Sequence, residues 1–133
     1  MKEEPSTLQR SDPIVIEATG VRIWVNHRRG LGGDEGLTFD ITVANDNDGT
    51  PILRFDCFRR TPHYHVGPPP KSPVHDMNAE GITDPVRWTL EQLKTRLPSM
   101  VAEAGYADIA KTIDQQSIVQ SLARAEKAIL AKI

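Results

Sequence analysis

The first half of the chain alternates apolar and polar residues with the two-residue period of β-strands. The clearest example is 37–45, where Phe39, Ile41 and Val43 share one face and polar residues stand between them. Similar short runs, separated by clusters of Gly, Asn and Asp, cover residues 14–18, 21–27, 52–60 and 63–66. We therefore predict an antiparallel β-meander of four to five strands with one apolar face and one face open to water. Segment 63–66 is short enough to be an edge strand.

The second half of the chain carries apolar residues at helical spacing. Before it, residues 67–83 contain prolines at 68, 69, 70 and 73, so an extended segment without regular structure is predicted there. A helix is predicted from Asp84-Pro85, a favourable N-cap and first-turn pair, to Gly105, a typical helix-ending residue. Pro98 lies inside this helix and is expected to kink or divide it.

A last helical stretch is predicted over about 109–133, with a break near 114–117. Strands first and helices afterwards indicate the α+β class, with two C-terminal amphipathic helices packed on one face of the meander. Residues 1–12 show no periodicity and are predicted to form a flexible arm, which leaves 13–133 as a single domain.

The composition narrows the classes of protein. The 133 residues carry 16 Lys and Arg against 18 Asp and Glu, a net charge of −2, and a single cysteine. This balance argues against a nucleic-acid binder that works through overall positive charge. One cysteine excludes an internal disulfide, and no run of residues is long and apolar enough to span a membrane. We therefore expect a soluble, cytoplasmic protein without a membrane partner.

Residues 54–65 concentrate side chains that carry chemistry. Because alternate residues of a strand share a face, His63 and His65 are predicted to point the same way and to join Arg54 and Asp56. Histidine transfers protons near neutral pH, and arginine stabilises charge on phosphate oxygens. The four residues are our predicted catalytic set for binding RNA or cleaving it without a metal. The alternative is an ordinary solvated sheet face.

Two arginine pairs flank predicted strand ends. Arg28 and Arg29 begin a glycine-rich segment, 28–36, that is predicted to be a mobile loop, and Arg59 and Arg60 follow the fourth strand. If the two pairs converge, they form a basic rim that can hold a nucleic-acid backbone despite the acidic total. The alternative is that they are separate, solvated loop ends.

A metal site is the other chemical alternative. The pair His63 and His65 can supply two ligands, with His75 or Asp76 as the third, and imidazole with carboxylate suits zinc, manganese or iron. Two histidines without an established spacing do not define a metal motif, so the sequence predicts no metal and no cofactor. A small metal-dependent hydrolase that uses His63 and His65 remains the second alternative. Cys57 falls on the apolar face and is predicted to be a buried small hydrophobe rather than a nucleophile.

Across residues 52–105 the chain resembles the TumE-type toxin family of bacterial toxin–antitoxin modules. Asp56 matches the strand aspartate of that family, His63 and His65 match its H-x-H segment, and 84–105 matches its amphipathic helix. The run 58–61 and the proline-rich crossing depart from the family pattern. The resemblance implies a compact α+β, ribonuclease-like toxin with an antitoxin-like protein partner.

A non-catalytic hypothesis stands beside these enzymatic ones. The last helical stretch carries a wide apolar stripe for a chain with few aromatic residues, formed by Ile118, Val119, Leu122, Ile129, Leu130 and Ile133. Such a stripe is typical of a surface that binds a second copy or another protein. On this hypothesis the chain is a homo-oligomeric or partner-binding interaction protein.

Overall fold

The computed structural model describes residues 13–29, 31–46, 49–69 and 72–133. The predicted arm, 1–12, lies outside these residues. The described part of the chain is α+β, as predicted, with an antiparallel sheet followed by helices. The strands are β1 (Ile14–Glu17), β2 (Val21–Arg29), β3 (Glu35–Val43), β4 (Pro51–Phe58), β5 (His63–Val66) and β6 (Val74–Asp76). They form one sheet in chain order, and every pair of neighbours is antiparallel.

The described sheet has six strands rather than four to five. The additional strand, β6, lies in the segment that was predicted to lack regular structure. It begins directly after Pro73, where backbone N–H groups become available for pairing, and it pairs Val74 with His65 and Asp76 with His63. As a result β5 is an internal strand and not the predicted edge.

The hairpin between β2 and β3 is longer than the sequence indicates. Arg28 pairs with Gly36 and Arg29 with Glu35, so both ends of the predicted loop 28–36 belong to the two strands. Only a short turn, which includes the 3-10 segment Leu31–Gly33, joins them. The arginine pair Arg28 and Arg29 is therefore held on a paired strand rather than on a loop.

Three helices follow the sheet: α1 (Pro85–Glu103), α2 (Ala107–Ala110) and α3 (Gln115–Leu130). Asp84 caps α1 by accepting a hydrogen bond from the N–H of Arg87, and Gly105 follows its end with a φ of 102°. Asp114 caps α3, which places the predicted break between the two last helices. No helix in the described ranges has both the length and the apolar character needed to cross a membrane.

Pro98 does not divide α1, which excludes the second of the two predicted outcomes, a kink or a division. A proline inside a helix removes one backbone hydrogen bond and costs about 3 kcal/mol. Leu97, Met100 and Val101 flank it and are at most 1% exposed. Because burying each such side chain contributes about 1.5–3 kcal/mol, packing of this turn offsets the missing hydrogen bond.

One continuous hydrophobic core lies between the sheet and the helices. Helix α1 packs against β4 and β5, and α3 packs against β1. The stripe of α3 is largely used here, because Ile118, Leu122 and Ile129 are fully buried. Val119 and Ile133 remain exposed, at 38% and 75%.

The opposite face of the sheet is polar, as predicted. Part of it is buried, however, where the prediction was a face open to water. Thr38 is fully buried, and Asp40 and Asp56 are 9% and 3% exposed. Longer side chains from neighbouring strands lie beside them, since Arg28 pairs with Asp40 and Arg54 pairs with both aspartates. This face therefore contains carboxylates in a partly desolvated environment, where their charges interact strongly.

Candidate metal centre

Asp56, His63 and His65 meet because of the register between β4 and β5. Asp56 lies directly opposite His63, and Arg54 lies directly opposite His65. Since residues two apart on a strand share a face, all four side chains stand on the polar face of the sheet. The structure thus brings the predicted catalytic set together in one cluster, as the sequence indicates.

The two histidines direct the same ring nitrogen toward one carboxylate oxygen. His63 Nε2 is 3.0 Å from Asp56 Oδ2, and His65 Nε2 is 4.0 Å from the same atom. One ligand atom from each of Asp56, His63 and His65 lies within 4.8 Å of the other two. We call these three residues the triad. Metal–ligand bonds of about 2.0–2.2 Å place ligand atoms at most about 4.4 Å apart, so small side-chain rotations suffice for the triad to share one ion.

The other ring nitrogen of each histidine contacts an oxygen atom. His63 Nδ1 lies 2.8 Å from the backbone oxygen of Thr61. A carbonyl oxygen only accepts, so this nitrogen donates its hydrogen and leaves Nε2 facing Asp56. His65 Nδ1 lies 3.4 Å from Ser72 Oγ. Histidines that ligate metals almost always have their second nitrogen oriented in this way.

Arginines neutralise the carboxylates of this face. Arg54 Nη2 is 3.5 Å from Asp56 Oδ2 and Arg54 Nε is 3.7 Å from Asp40 Oδ1, while Arg28 Nη2 donates to Asp40 Oδ2 at 3.0 Å. Burial works to raise the pKa of Asp56, but the hydrogen bond to His63 and the charge of Arg54 outweigh it, so the pKa is lowered. At Asp40 burial prevails over the two arginines and raises the pKa. Of the two carboxylates, Asp56 is thus the one whose charged form is favoured.

The two histidines are pushed in opposite directions. The hydrogen bond to Asp56 raises the pKa of His63 against the effect of burial. Burial, together with the neighbouring His63, lowers the pKa of His65. His63 is therefore protonated more readily than an ordinary histidine and His65 less readily, so an ion that binds here would displace a proton from His63 whenever that ring is charged.

Several buried oxygen atoms beside the triad have no hydrogen-bond partner. Asp56 Oδ1, Asp40 Oδ1 and Thr38 Oγ1 are in this group, and Thr38 pairs with Asp56 in the sheet. Buried polar atoms in proteins are nearly always hydrogen-bonded. Their presence in this cluster indicates that a polar ligand or water completes the site.

A cavity of about 340 Å³ lies next to the triad. Its lining includes both triad histidines and Asp76, whose strand pairs with β5. Asp76 Oδ1 accepts hydrogen bonds from the N–H groups of Asn78 and Ala79, at 2.9 and 3.3 Å, so this carboxylate caps a turn. The cavity leaves the two triad histidines accessible from the side of β6, while Asp56 lies buried behind them.

His75 cannot be the third ligand that the sequence suggested. It lies on the opposite face of β6, where its ring stacks on Tyr64 at 4.6 Å and its Nδ1 is 3.5 Å from Glu80 Oε2. Neighbouring residues of a strand point to opposite faces, which separates His75 from His63 and His65. The third member of the cluster is Asp56, which the sequence analysis assigned to the acid–base set instead.

The two arginine pairs do converge at one end of the sheet, but acidic and carbonyl partners engage three of the four. Arg28 contacts Asp40, Arg59 contacts Glu35 at 3.3 Å, and Arg60 donates to the backbone oxygen of Gly32. Arg29 is exposed at the end of β2. The predicted basic rim is therefore present as a location, and two of its four arginines, Arg28 and Arg59, pair with a carboxylate.

Asp34 is a residue of this region that sequence reasoning missed. Its carboxylate accepts hydrogen bonds from the N–H groups of Glu35, Arg60 and Thr61 and from the hydroxyl of Thr61, at 2.8–3.0 Å. Burial opposes ionisation, but these hydrogen bonds together lower the pKa of Asp34 to about 2. Asp34 thus fixes the turn that sets the register of β5 against β4. The only feature of the sequence that points to this role is an acidic residue at the edge of a glycine-rich stretch.

Comparison with protein families gives one match. A family model described as a domain of unknown function (DUF7700) matches residues 15–129. The chain belongs to the DUF7700 family. No curated protein matches it, and no solved structure matches it. The matched range of this DUF7700 chain contains all three triad residues and Arg54. Nothing in these comparisons connects DUF7700 with the TumE-type toxins, so that resemblance stays a prediction.

Cys57 of this DUF7700 chain is a core residue, as predicted. Its side chain is 6% exposed, and its sulfur lies 3.4 Å from Thr89 Oγ1 on helix α1. Burial raises the pKa of the thiol to about 12, against the effect of the Thr89 hydrogen bond. A thiol that stays protonated is a poor nucleophile and a poor ligand, so Cys57 takes no part in the chemistry of the triad.

Proposed function

We propose that this protein is a small metal-dependent hydrolase whose ion is bound by Asp56, His63 and His65. The observation that carries the proposal is the convergence of His63 Nε2 and His65 Nε2 on Asp56 Oδ2, at 3.0 and 4.0 Å. Two imidazoles and one carboxylate suit Zn²⁺, Fe²⁺ or Mn²⁺. Three protein ligands leave coordination positions open, which is typical of catalytic rather than structural sites.

The surroundings of the triad support this proposal. The oxygen atoms of Thr61 and Ser72 orient the two rings. The adjacent cavity gives access to both histidines. A divalent ion bound there supplies Lewis acidity that polarises a substrate oxygen. The chain itself holds the ligands in place, because Asp34 anchors the turn between β4 and β5.

The spacing of the triad favours an ion over the predicted metal-free cleavage of RNA. Acid–base cleavage needs the two imidazoles on either side of a phosphate group, whereas these ligand atoms lie within 4.8 Å of one another around a single carboxylate oxygen. The carboxylate partners of Arg28 and Arg59 also weaken the case for a nucleic-acid backbone. RNA cleavage and an interaction role accordingly become outcomes that the experiment must distinguish.

The test is metal binding by wild type and by four single variants. Protein stripped with a chelator is titrated with Zn²⁺, Mn²⁺ and, without oxygen, Fe²⁺ in a calorimeter, and bound metal is counted by elemental analysis. We expect one ion per chain for wild type, and at least a tenfold loss of affinity for Asp56→Asn, His63→Ala and His65→Ala. The control is His75→Ala, which removes a histidine from the opposite face and should bind like wild type.

Two results would overturn the proposal. One is a wild-type protein that binds no ion, or binds it as well after His63→Ala and His65→Ala are combined. The other is cleavage of RNA by chelator-treated wild type that is lost in His65→Ala, because that outcome assigns the histidines to metal-free acid–base chemistry. Far-UV circular dichroism of each variant separates loss of a ligand from loss of the fold.

A further inference from the structure

We propose that the substrate of this site is a phosphate monoester, held by Arg54 beside the ion bound to the triad. The inference rests on the proposed function and adds the substrate class. Its basis is the charge of the polar face and the position of the Arg54 guanidinium, neither of which is needed to argue that the triad binds a metal.

The first step is the charge balance around the triad. Arg28 and Arg54 balance Asp40 and Asp56, with ion-pair distances of 3.0–3.7 Å. Histidines bind metals in their neutral form, so a divalent ion adds two positive charges that these four residues do not compensate. Asp76, the other carboxylate at this cavity, is exposed, so water and salt screen its charge. Both carboxylates are at most 9% exposed. Uncompensated charge in such a setting is unfavourable, and an anionic ligand offsets it.

The amount of charge selects among anions. A phosphate monoester carries about −1.5 to −2 at neutral pH, which matches the two added positive charges. A carboxylate or a phosphodiester carries only one negative charge. The balance therefore favours a phosphate monoester over a carboxylic acid and over the backbone of a nucleic acid.

Arg54 is the side chain placed to hold such a group. It stands opposite His65 and next to Asp56 on the same face. Its two contacts with carboxylates, at 3.5 and 3.7 Å, are long for charge-assisted hydrogen bonds, which are typically about 2.7–2.9 Å. Its side chain is 31% exposed. Guanidinium donors that are weakly engaged and partly accessible are suited to bind phosphate oxygens.

The reaction balances without a further reactant. The oxygen of a water molecule forms a new bond to phosphorus, and the ester bond between phosphorus and the alcohol oxygen breaks. The departing alcohol takes up a proton, and inorganic phosphate is released. The ion and Arg54 both act on the phosphoryl oxygens, where negative charge is concentrated.

The experiment uses full-length protein loaded with one ion, with metal content verified before each measurement. Inorganic phosphate and acetate are titrated separately, and p-nitrophenyl phosphate is compared with bis(p-nitrophenyl) phosphate in hydrolysis assays. We expect phosphate to bind at least ten times more tightly than acetate, and the monoester to be hydrolysed faster than the diester. Removal of one charge-assisted contact predicts a roughly tenfold or greater loss of phosphate affinity in Arg54→Gln.

The matched control is Arg22→Gln. Arg22 also lies on the polar face, but it pairs with Glu17 at 3.1 Å, on the β1 side of the sheet. It should leave phosphate affinity unchanged, and Arg54→Gln should still bind the metal. Equal affinity for acetate and phosphate, faster hydrolysis of the diester, or wild-type phosphate binding by metal-loaded Arg54→Gln would overturn the inference. Failure to bind an ion at all would instead overturn the proposed function.

Discussion

Gly36 lies where β3 and β4 approach very closely. Its replacement tests how much the stability of the sheet that carries the candidate site depends on that approach. A Cβ atom at this position would overlap the carbonyl oxygen of Cys57 and lie 2.9 Å from its carbonyl carbon. The strands must then separate, which breaks one or two hydrogen bonds of the ladder and leaves residual strain. We expect Gly36→Ala to lower the free energy of unfolding by about 2–5 kcal/mol.

Thermal and urea unfolding of the metal-free protein, followed by far-UV circular dichroism, measures this loss. At about 3 °C per kcal/mol for a chain of this size, the midpoint should fall by roughly 6–15 °C. The control is Gly32→Ala, where φ is 68° but no atom lies within 4 Å of the added carbon. Left-handed backbone alone costs about 1–2 kcal/mol there. A Gly36→Ala protein no less stable than Gly32→Ala would refute the reasoning.

Two further predictions concern single side chains. Asp34→Asn should destabilise the protein at neutral pH. The difference from wild type should shrink as the pH falls from about 4 toward 2, because a carboxylate with a lowered pKa contributes stability above its unfolded pKa of about 3.9 and loses it on protonation. Urea midpoints measured across that range check it, and a constant difference would contradict it. The thiol of Cys57 should resist alkylation at neutral pH in the native protein and react only in denaturant, since burial raises its pKa to about 12. Rapid labelling of the native protein would contradict its burial.

The sequence predicts the shared face of His63 and His65 because that relation depends only on the period of a strand. The position of Asp56 opposite His63 is different, since it depends on the register between β4 and β5. Register follows from the turn that joins the strands. Here the turn is held by Asp34, whose carboxylate accepts hydrogen bonds from the N–H groups of Arg60 and Thr61. Asp34 precedes that turn by more than twenty residues. No local pattern reveals a contact of this kind.

Other differences have similar physical origins. The three residues of β6 are too few for a periodic signal, and the prolines before them suggest irregular structure. Pro98 remains in a continuous helix because the burial of its neighbours outweighs a local preference. The boundaries of α1 were more predictable, because Asp84, Pro85 and Gly105 act within one turn of the helix ends. The capping signals at the ends of α1 were therefore reliable, whereas local preferences that tertiary contacts can outweigh were not.

The hydrogen bonds from Arg60 and Thr61 to Asp34 hold the turn between β4 and β5 in place, and this limits how the chain length can vary within the family. All three triad residues lie on two strands joined by the turn 59–62, so one inserted or deleted residue there would shift β5 by one position. Because side chains alternate between faces, both histidines would then point into the core and Tyr64 toward the polar face. The length of the turn 59–62 is therefore constrained in any relative that keeps the triad, because Asp56 and the two histidines share a face only in this register.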